Sequence, residues 1–203
     1  MSEFINTIDV LGDDAVIDSI IQRTITEFND NSIDTIGSYA FHSCTALTTV
    51  DLPNVTTIAY SAFYGCTTLN SVNIPSVTSI DAYNAFSNCK ALTEIVLPSC
   101  TNVGQGAFSY CNALDRVDCA TTEALAVGNN AFSYCSLTAL ILRSNSVATL
   151  ANTNALSDTG VAKGTGHIYV PAALLSNYQS ASNWSTFSAQ FRAIEDYPDI
   201  CGG

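Results

Sequence analysis

The chain has 203 residues, enough for one domain with a sizeable core, and is 47% apolar but only 12% charged. Its formal net charge is −12, and its six Lys and Arg (Arg23, Lys90, Arg116, Arg143, Lys163 and Arg192) are scattered, which excludes the basic patch that nucleic acid or an anionic membrane surface requires. No apolar run approaches the roughly 18 residues needed to span a bilayer, and the N-terminus shows no signal-peptide pattern, so neither membrane insertion nor a signal peptide is expected.

Residues 13–23 read as a short helix. Asp13 and Asp14 suit its first turn and Arg23 its end, while Val16, Ile17, Ile20 and Ile21 form an apolar face. Residues 24–36 fit a half-formed repeat in which Phe28, Ile33 and Ile36 occupy the slots that Val50, Val55 and Ile58 fill one unit later. Residues 1–27 are therefore expected to cap the open end of a repeat array.

The repeat dominates residues 28–143. Ala-Phe-x-x-Cys recurs with its Phe at Phe41, Phe63, Phe86, Phe108 and Phe132, separated by 22, 23, 22 and 24 residues. A Leu follows each Cys (Leu47, Leu69, Leu92, Leu114 and, one residue early, Leu137). Then come Val50 and Leu52, matched by Val72 and Ile74, Ile95 and Leu97, Val117 and Cys119, and Leu140 and Leu142. This period-2 alternation predicts a strand with one buried face, ended in three units by Pro53, Pro75 and Pro98, which cannot donate to a ladder. The spacing of three in Ala-Phe-x-x-Cys-x-x-Leu predicts a single helical or 3₁₀ turn. One such unit cannot bury its own apolar face, whereas stacked units share a continuous core. Five or six coils spaced about 4.8 Å apart make a body on the order of 25–30 Å long.

These residues resemble the BspA-like leucine-rich repeats, whose units read roughly Ile-Gly-x-x-Ala-Phe-x-x-Cys-x-x-Leu-x-x-Ile-x-Leu-Pro. The stretch Ile36-Gly37-Ser38-Tyr39-Ala40-Phe41-His42-Ser43-Cys44 nearly copies that pattern. The resemblance implies an α/β repeat solenoid, with one parallel β-sheet face, short helical or 3₁₀ turns opposite, and helical caps at both ends.

Residues 144–171 read as a degenerate repeat with Leu150 and Ala155-Leu156 in the slots of Ile58 and Ala62-Phe63, followed by a last strand, Ile168-Tyr169-Val170-Pro171. Residues 172–203 form the C-terminal cap and tail. Pro171 can open a short helix, and Trp184, Phe187, Phe191 and Ile194 recur at helical spacing, so they are expected to cover the last coil. The tail from Asp196 reads as loose.

Of eight cysteines, Cys44, Cys66, Cys89, Cys111 and Cys135 hold one slot of the repeat, and Cys100 and Cys119 fall on core slots. No Cys-x-x-Cys pair exists, so a buried, reduced ladder is expected, with only Cys201 exposed and reactive. His42 and His167 lie in distant coils with no nucleophile context. Asn29-Asp30-Asn31-Ser32-Ile33-Asp34 resembles a calcium-loop fragment but lacks the Gly and the distal Glu. No Gly-rich phosphate motif is present. Catalysis, cofactors and metals are accordingly not expected.

The positions between core slots on the strands share one outward face and differ from coil to coil: Thr49 and Asp51, Ser71 and Asn73, Glu94 and Val96, Arg116 and Asp118, then Ala139 and Ile141. A fixed scaffold with a varied face is how repeat proteins present a binding surface. The expected function is thus a non-catalytic binding or recognition module that engages a protein or glycan on a cell surface. Family members of this kind are often cell-surface adhesins. Free cysteines and the missing signal instead suit a virion component, in a bacteriophage tail or as decoration, that is released by lysis and contacts other virion proteins. A secreted or surface-displayed bacterial adhesin is the alternative, and a homo-oligomer is compatible with either.

Overall fold

The computed structural model describes residues 23–80 and 83–202. The expected helix at 13–23 lies outside these residues except for Arg23.

Short strands follow one another in pairs: β1 (Glu27–Asn29) and β2 (Thr35–Ile36), β3 (Thr49–Asp51) and β4 (Thr57–Ile58), β5 (Ser71–Asn73) and β6 (Ser79–Ile80), β7 (Glu94–Val96) and β8 (Asn102–Val103). Next come β9 (Arg116–Cys119) and β10 (Ala126–Val127), β11 (Ala139–Leu142) and β12 (Thr149–Leu150), then β13 (His167–Val170) and β14 (Phe191–Ala193). The first member of each pair stacks on its equivalent in the next coil, in parallel, with the repeat register intact: Phe28 opposite Val50, Val50 opposite Val72, Ile95 opposite Val117, Leu140 opposite Ile168. The second members of the first six pairs form a six-stranded parallel ladder of their own, in the order β12-β10-β8-β6-β4-β2, while β14 joins the main ladder beside β13. The sequence placed one strand in each coil. The structure adds this second ladder, in which Ile36, Ile58, Ile80, Val103, Val127 and Leu150 point inward.

The main ladder is interrupted once, between β5 and β7, which leaves three strands on one side and five on the other. Val72, on the flank of the break, is half-buried, although its counterparts Val50, Ile95 and Val117 are fully buried.

The turn segments between the second strand of one coil and the main strand of the next form a further set of coil-to-coil bonds. The N–H of Phe41 donates to the carbonyl of Ala62, Phe63 to Ala85, Phe86 to Ala107, Phe108 to Ala131 and Phe132 to Ala155, at 2.7–2.9 Å. The residues two before and two after each Phe take left-handed φ of 50–73°: Tyr39 and Ser43, Ser61 and Gly65, Asn84 and Asn88, Gly106 and Tyr110, Asn130 and Tyr134. This geometry aims their N–H groups along the same axis, so that Asn84 donates to Gln105, Gly106 to Asn129 and Tyr134 to Ser157.

Stacking produces columns of like residues in the core. Phe41, Phe63, Phe86, Phe108 and Phe132 are buried, with centroids 5.0–5.7 Å apart and planes within 9° of parallel. Each buried Phe contributes about 1.5–3 kcal/mol, with roughly 0.5–1.5 kcal/mol more per ring pair. The cysteine column runs beside it. Cys66 Sγ donates to the carbonyl of Phe41 at 3.0 Å, Cys89 to Phe63 at 3.3 Å, Cys111 to Phe86 at 3.1 Å and Cys135 to Phe108 at 3.1 Å. All eight cysteines are free and buried.

The C-terminal segment differs from the expectation in three respects. First, Phe191 does not sit on a helix with Trp184 and Phe187. A 3₁₀ segment, Trp184–Gln190, ends there, and the chain becomes β14, which pairs with β13 through Ile168 opposite Phe191. The open edge of β13 takes a strand partner, which helical periodicity alone does not reveal. Second, the tail is ordered: Pro198–Cys201 forms a short helix. Third, Cys201 is only 1% exposed and packs with Ala139, Ile141 and Tyr169. Tyr178, in α1 (Leu175–Ser180), and Trp184 complete the core at this end. Trp184 Nε1 donates to the carbonyl of Ala148 at 2.7 Å, and the N–H of Ala148 donates to Tyr178 Oη at 2.8 Å.

Candidate binding surfaces

The strand face divides in two. Over β3, β5 and β7, Asp51, Ser71, Asn73, Glu94 and Val96 are exposed and Thr49 is half-buried. Asn73 Nδ2 donates to Asp51 Oδ1 at 2.8 Å, and no other side-chain bond fixes these six residues among those described. From β9 onward the face is covered. Asp118 is 4% exposed, with Oδ2 2.9 Å from Arg116 Nη2 and Oδ1 2.9 Å from Arg143 Nε. Arg143 also donates to the carbonyl of Cys201 and Arg116 to that of Ile200 at 3.5 Å, so the two guanidinium groups bind the end of the terminal helix to Asp118. The hydrogen bond to Asp118 raises the pKa of Arg143. Arg116 and Asp118 are therefore not a free part of the varied face but a clamp under the tail. Ala139 and Ile141 are likewise buried, by Ile194, Tyr197 and Cys201. The sequence carried a signal for this: Ala139-Leu140-Ile141-Leu142 and Ile168-Tyr169-Val170 are apolar on both faces, the pattern of a strand covered twice.

The opposite, turn face presents most of the exposed aromatic surface. Tyr39, Tyr60, Tyr83, Tyr110 and Tyr134 are each 39–51% exposed. Tyr39 and Tyr60 lie 5.1 Å apart, Tyr60 and Tyr83 6.1 Å, and Tyr110 and Tyr134 stack at 4.6 Å with planes 6° apart. They arise because the left-handed turns splay residues outward on either side of each inward Phe. In the C-terminal half, the two rims enclose a groove of about 480 Å³ across four coils. Sequence reasoning missed it, since the tyrosines two residues after Phe108 and Phe132 carry no periodic signal, and only the left-handed geometry brings Tyr110 onto Tyr134.

Neither His forms a catalytic constellation. His42 Nδ1 is 3.0 Å from Oγ of the adjacent Ser43, and the ring stacks on Tyr64 at 5.1 Å on an open surface. His167 lies on β13, with its pKa lowered by burial and then by Arg192. Among the described residues no group of three or more His, Cys, Asp and Glu could hold a metal ion, and no helix is long and apolar enough to cross a membrane.

Comparison with known proteins agrees with this architecture. The family model of the BspA type leucine rich repeat region matches residues 34–159 in six copies. A leucine rich cell surface protein from Faecalibacterium prausnitzii is similar in structure, with 30% identity over 72% of this chain and 39% of its own, and a TM-score of 0.59. A leucine-rich repeat protein from Bacteroides ovatus shares 26% identity over 73% of this chain and 40% of its own, with a TM-score of 0.52. The chain thus spans about 40% of the length of either solved structure. No curated protein matches.

Proposed function

Because the chain belongs to the BspA-type leucine-rich repeat family, we propose that it is a non-catalytic recognition module working at a cell surface, with the open part of its strand face as a contact for a protein partner. The observation that carries the reading is the contrast along that face. Thr49, Asp51, Ser71, Asn73, Glu94 and Val96 differ from coil to coil on a repeated backbone, and no other described residue covers them, whereas the equivalent positions from β9 onward are closed by the tail. Placement on a bacterial surface is preferred to placement in a virion because a similar solved protein is described as a cell surface protein.

Two measurements test this. Protease treatment of intact producing cells followed by mass spectrometry is expected to release peptides of this chain. Recovery only from cytosol refutes surface placement, and enrichment in density-purified particles moves the module to a virion. For the face itself, binding of the labelled chain to intact epithelial and bacterial cells is measured with a Ser71→Arg/Val96→Arg variant. Both positions are exposed, so the fold should persist while cell binding falls. Undiminished binding by this variant removes the strand face from the reading.

A further inference from the structure

The groove on the turn face has a lining that the strand face lacks. Its rims carry Asn84, Gln105, Asn130 and Asn154 on one side and the stacked Tyr110 and Tyr134 on the other, and among the described residues no charged side chain lines it, although the chain carries −12 overall. Asn54, Asn112, Asn152 and Asn183 each donate to a group in another coil, at 2.7–3.1 Å, and so bind the scaffold together. The side chains of Asn84, Gln105, Asn130 and Asn154 hold no such bond and leave donors and acceptors pointing into the groove. Gly106 keeps its floor open: a Cβ there would fall 2.3 Å from Asn84 Oδ1, and its φ of +64° favours glycine.

We propose that this groove binds a neutral glycan, a chain of at least three pyranose units, with the sugar C–H faces on Tyr110 and Tyr134 and the hydroxyls on the four amides. The inference goes beyond the strand-face reading and concerns a different surface. Aromatic rings supply flat apolar area with a polar hydroxyl at the edge, and unengaged amides can donate and accept at once, which matches a ligand that alternates C–H faces with hydroxyls. The absence of lining charge disfavours a sialylated or sulfated ligand, and the overall negative field adds to that. A peptide in extended form is disfavoured because the backbone groups of the groove are already paired. Asn84 donates to Gln105, Gly106 to Asn129, Tyr110 to Ser133 and Tyr134 to Ser157, so no free edge remains for an added strand. The rims repeat with the coil, about 4.8 Å per step, close to the length of a pyranose unit, so a linear glycan along the solenoid axis meets equivalent groups at each step.

The test is binding of the full chain to a panel of neutral hexose, pentose and N-acetylhexosamine oligosaccharides of three to six units, with sulfated and sialylated glycans and unrelated peptides alongside. The expected result is binding by at least one neutral oligosaccharide. It weakens about tenfold or more in Tyr110→Ala/Tyr134→Ala and is unchanged in Ser71→Arg/Val96→Arg. Should the tyrosine variant fail to fold by circular dichroism, Gln105→Glu/Asn154→Asp, at two exposed positions, gives the same loss by placing charge on the rim. Three results overturn the proposal: no neutral oligosaccharide bound at millimolar concentration, retention of charged glycans or peptides alone, or binding that survives both variants. Failure here leaves the strand-face variant effect on cell binding intact, and failure there leaves oligosaccharide binding intact, so the two readings are separable.

Discussion

Raising the pH should dismantle this fold from its cysteine column outward. Hydrogen bonding with Cys44 and burial raise the pKa of Cys66, and burial is the leading cause for Cys89, Cys119 and Cys135. Each therefore keeps its proton in the folded chain at a pH where the same thiol in the unfolded chain, with an ordinary value of 9.0, has released it. The unfolded state binds fewer protons above that point. The stability these groups contribute is complete below pH 9.0 and is lost as pH rises through and beyond it. Far enough above, the slope approaches about 1.4 kcal/mol per pH unit for each thiol. At pH 10 four such thiols cost together about 5–6 kcal/mol, comparable with the whole stability of an ordinary domain at about 5–15 kcal/mol. The assay is urea unfolding followed by Trp184 fluorescence and circular dichroism at steps from pH 7 to 10.5, repeated at high salt to screen general charge repulsion. The expected midpoint is level to about pH 8.5 and then falls steeply, and Cys89→Ala reduces the slope by about a quarter. A midpoint that stays level to pH 10, or a fall that high salt abolishes, refutes the reasoning.

Three other outcomes follow from the packing. Phe86→Ala removes a ring stacked on both sides, at 5.0 Å from Phe63 and 5.3 Å from Phe108, and should cost about 4–5 kcal/mol; Phe28→Ala, with one tilted partner, should cost less in the same unfolding assay, and equal costs would contradict a column in which neighbours supply the stabilisation. Asp118→Ala leaves Arg116 and Arg143 without their carboxylate and should cost about 2–3 kcal/mol, with faster amide exchange across residues 194–201; unchanged protection there would show that the clamp does not hold the tail. With all eight thiols buried, the native chain at pH 8 should show no fast reaction with a thiol reagent and eight equivalents after unfolding, whereas one fast equivalent would expose Cys201.

The repeat unit was legible because two periods coexist in one short segment. Alternation in Leu-x-x-Val-x-Leu fixed the strand and its inward face, and the matching of Phe28 with Val50 and of Ile36 with Ile58 placed the first, half-formed coil in register. The second ladder was hidden because two-residue strands are too short to alternate. The turn-face groove was hidden for a different reason. Left-handed φ at Tyr39, Ser61, Asn84 and Tyr134 is dictated by the bonds between coils and not by the residue, and glycine takes that role only at Gly65 and Gly106, too rarely to outline the site. In the covered half of the strand face, the apolar runs of β11 and β13 marked a second cover, but nothing local marked the clamp at Asp118. Asp118 and Arg143 are 25 residues apart, one coil in space, and the tail that joins them lies 58 residues beyond Arg143.

The paired left-handed residues on either side of each inward Phe have an evolutionary consequence. Every coil brings its own N–H donors, its own carbonyl acceptors and one new residue on each rim, and it asks of its neighbours only what they already offer. Duplicating the gene segment for one coil therefore inserts a complete rung, and deleting one removes it without leaving a ragged join. The molecule can change the reach of its outer surface in fixed increments, as a ruler is cut to length at its marks.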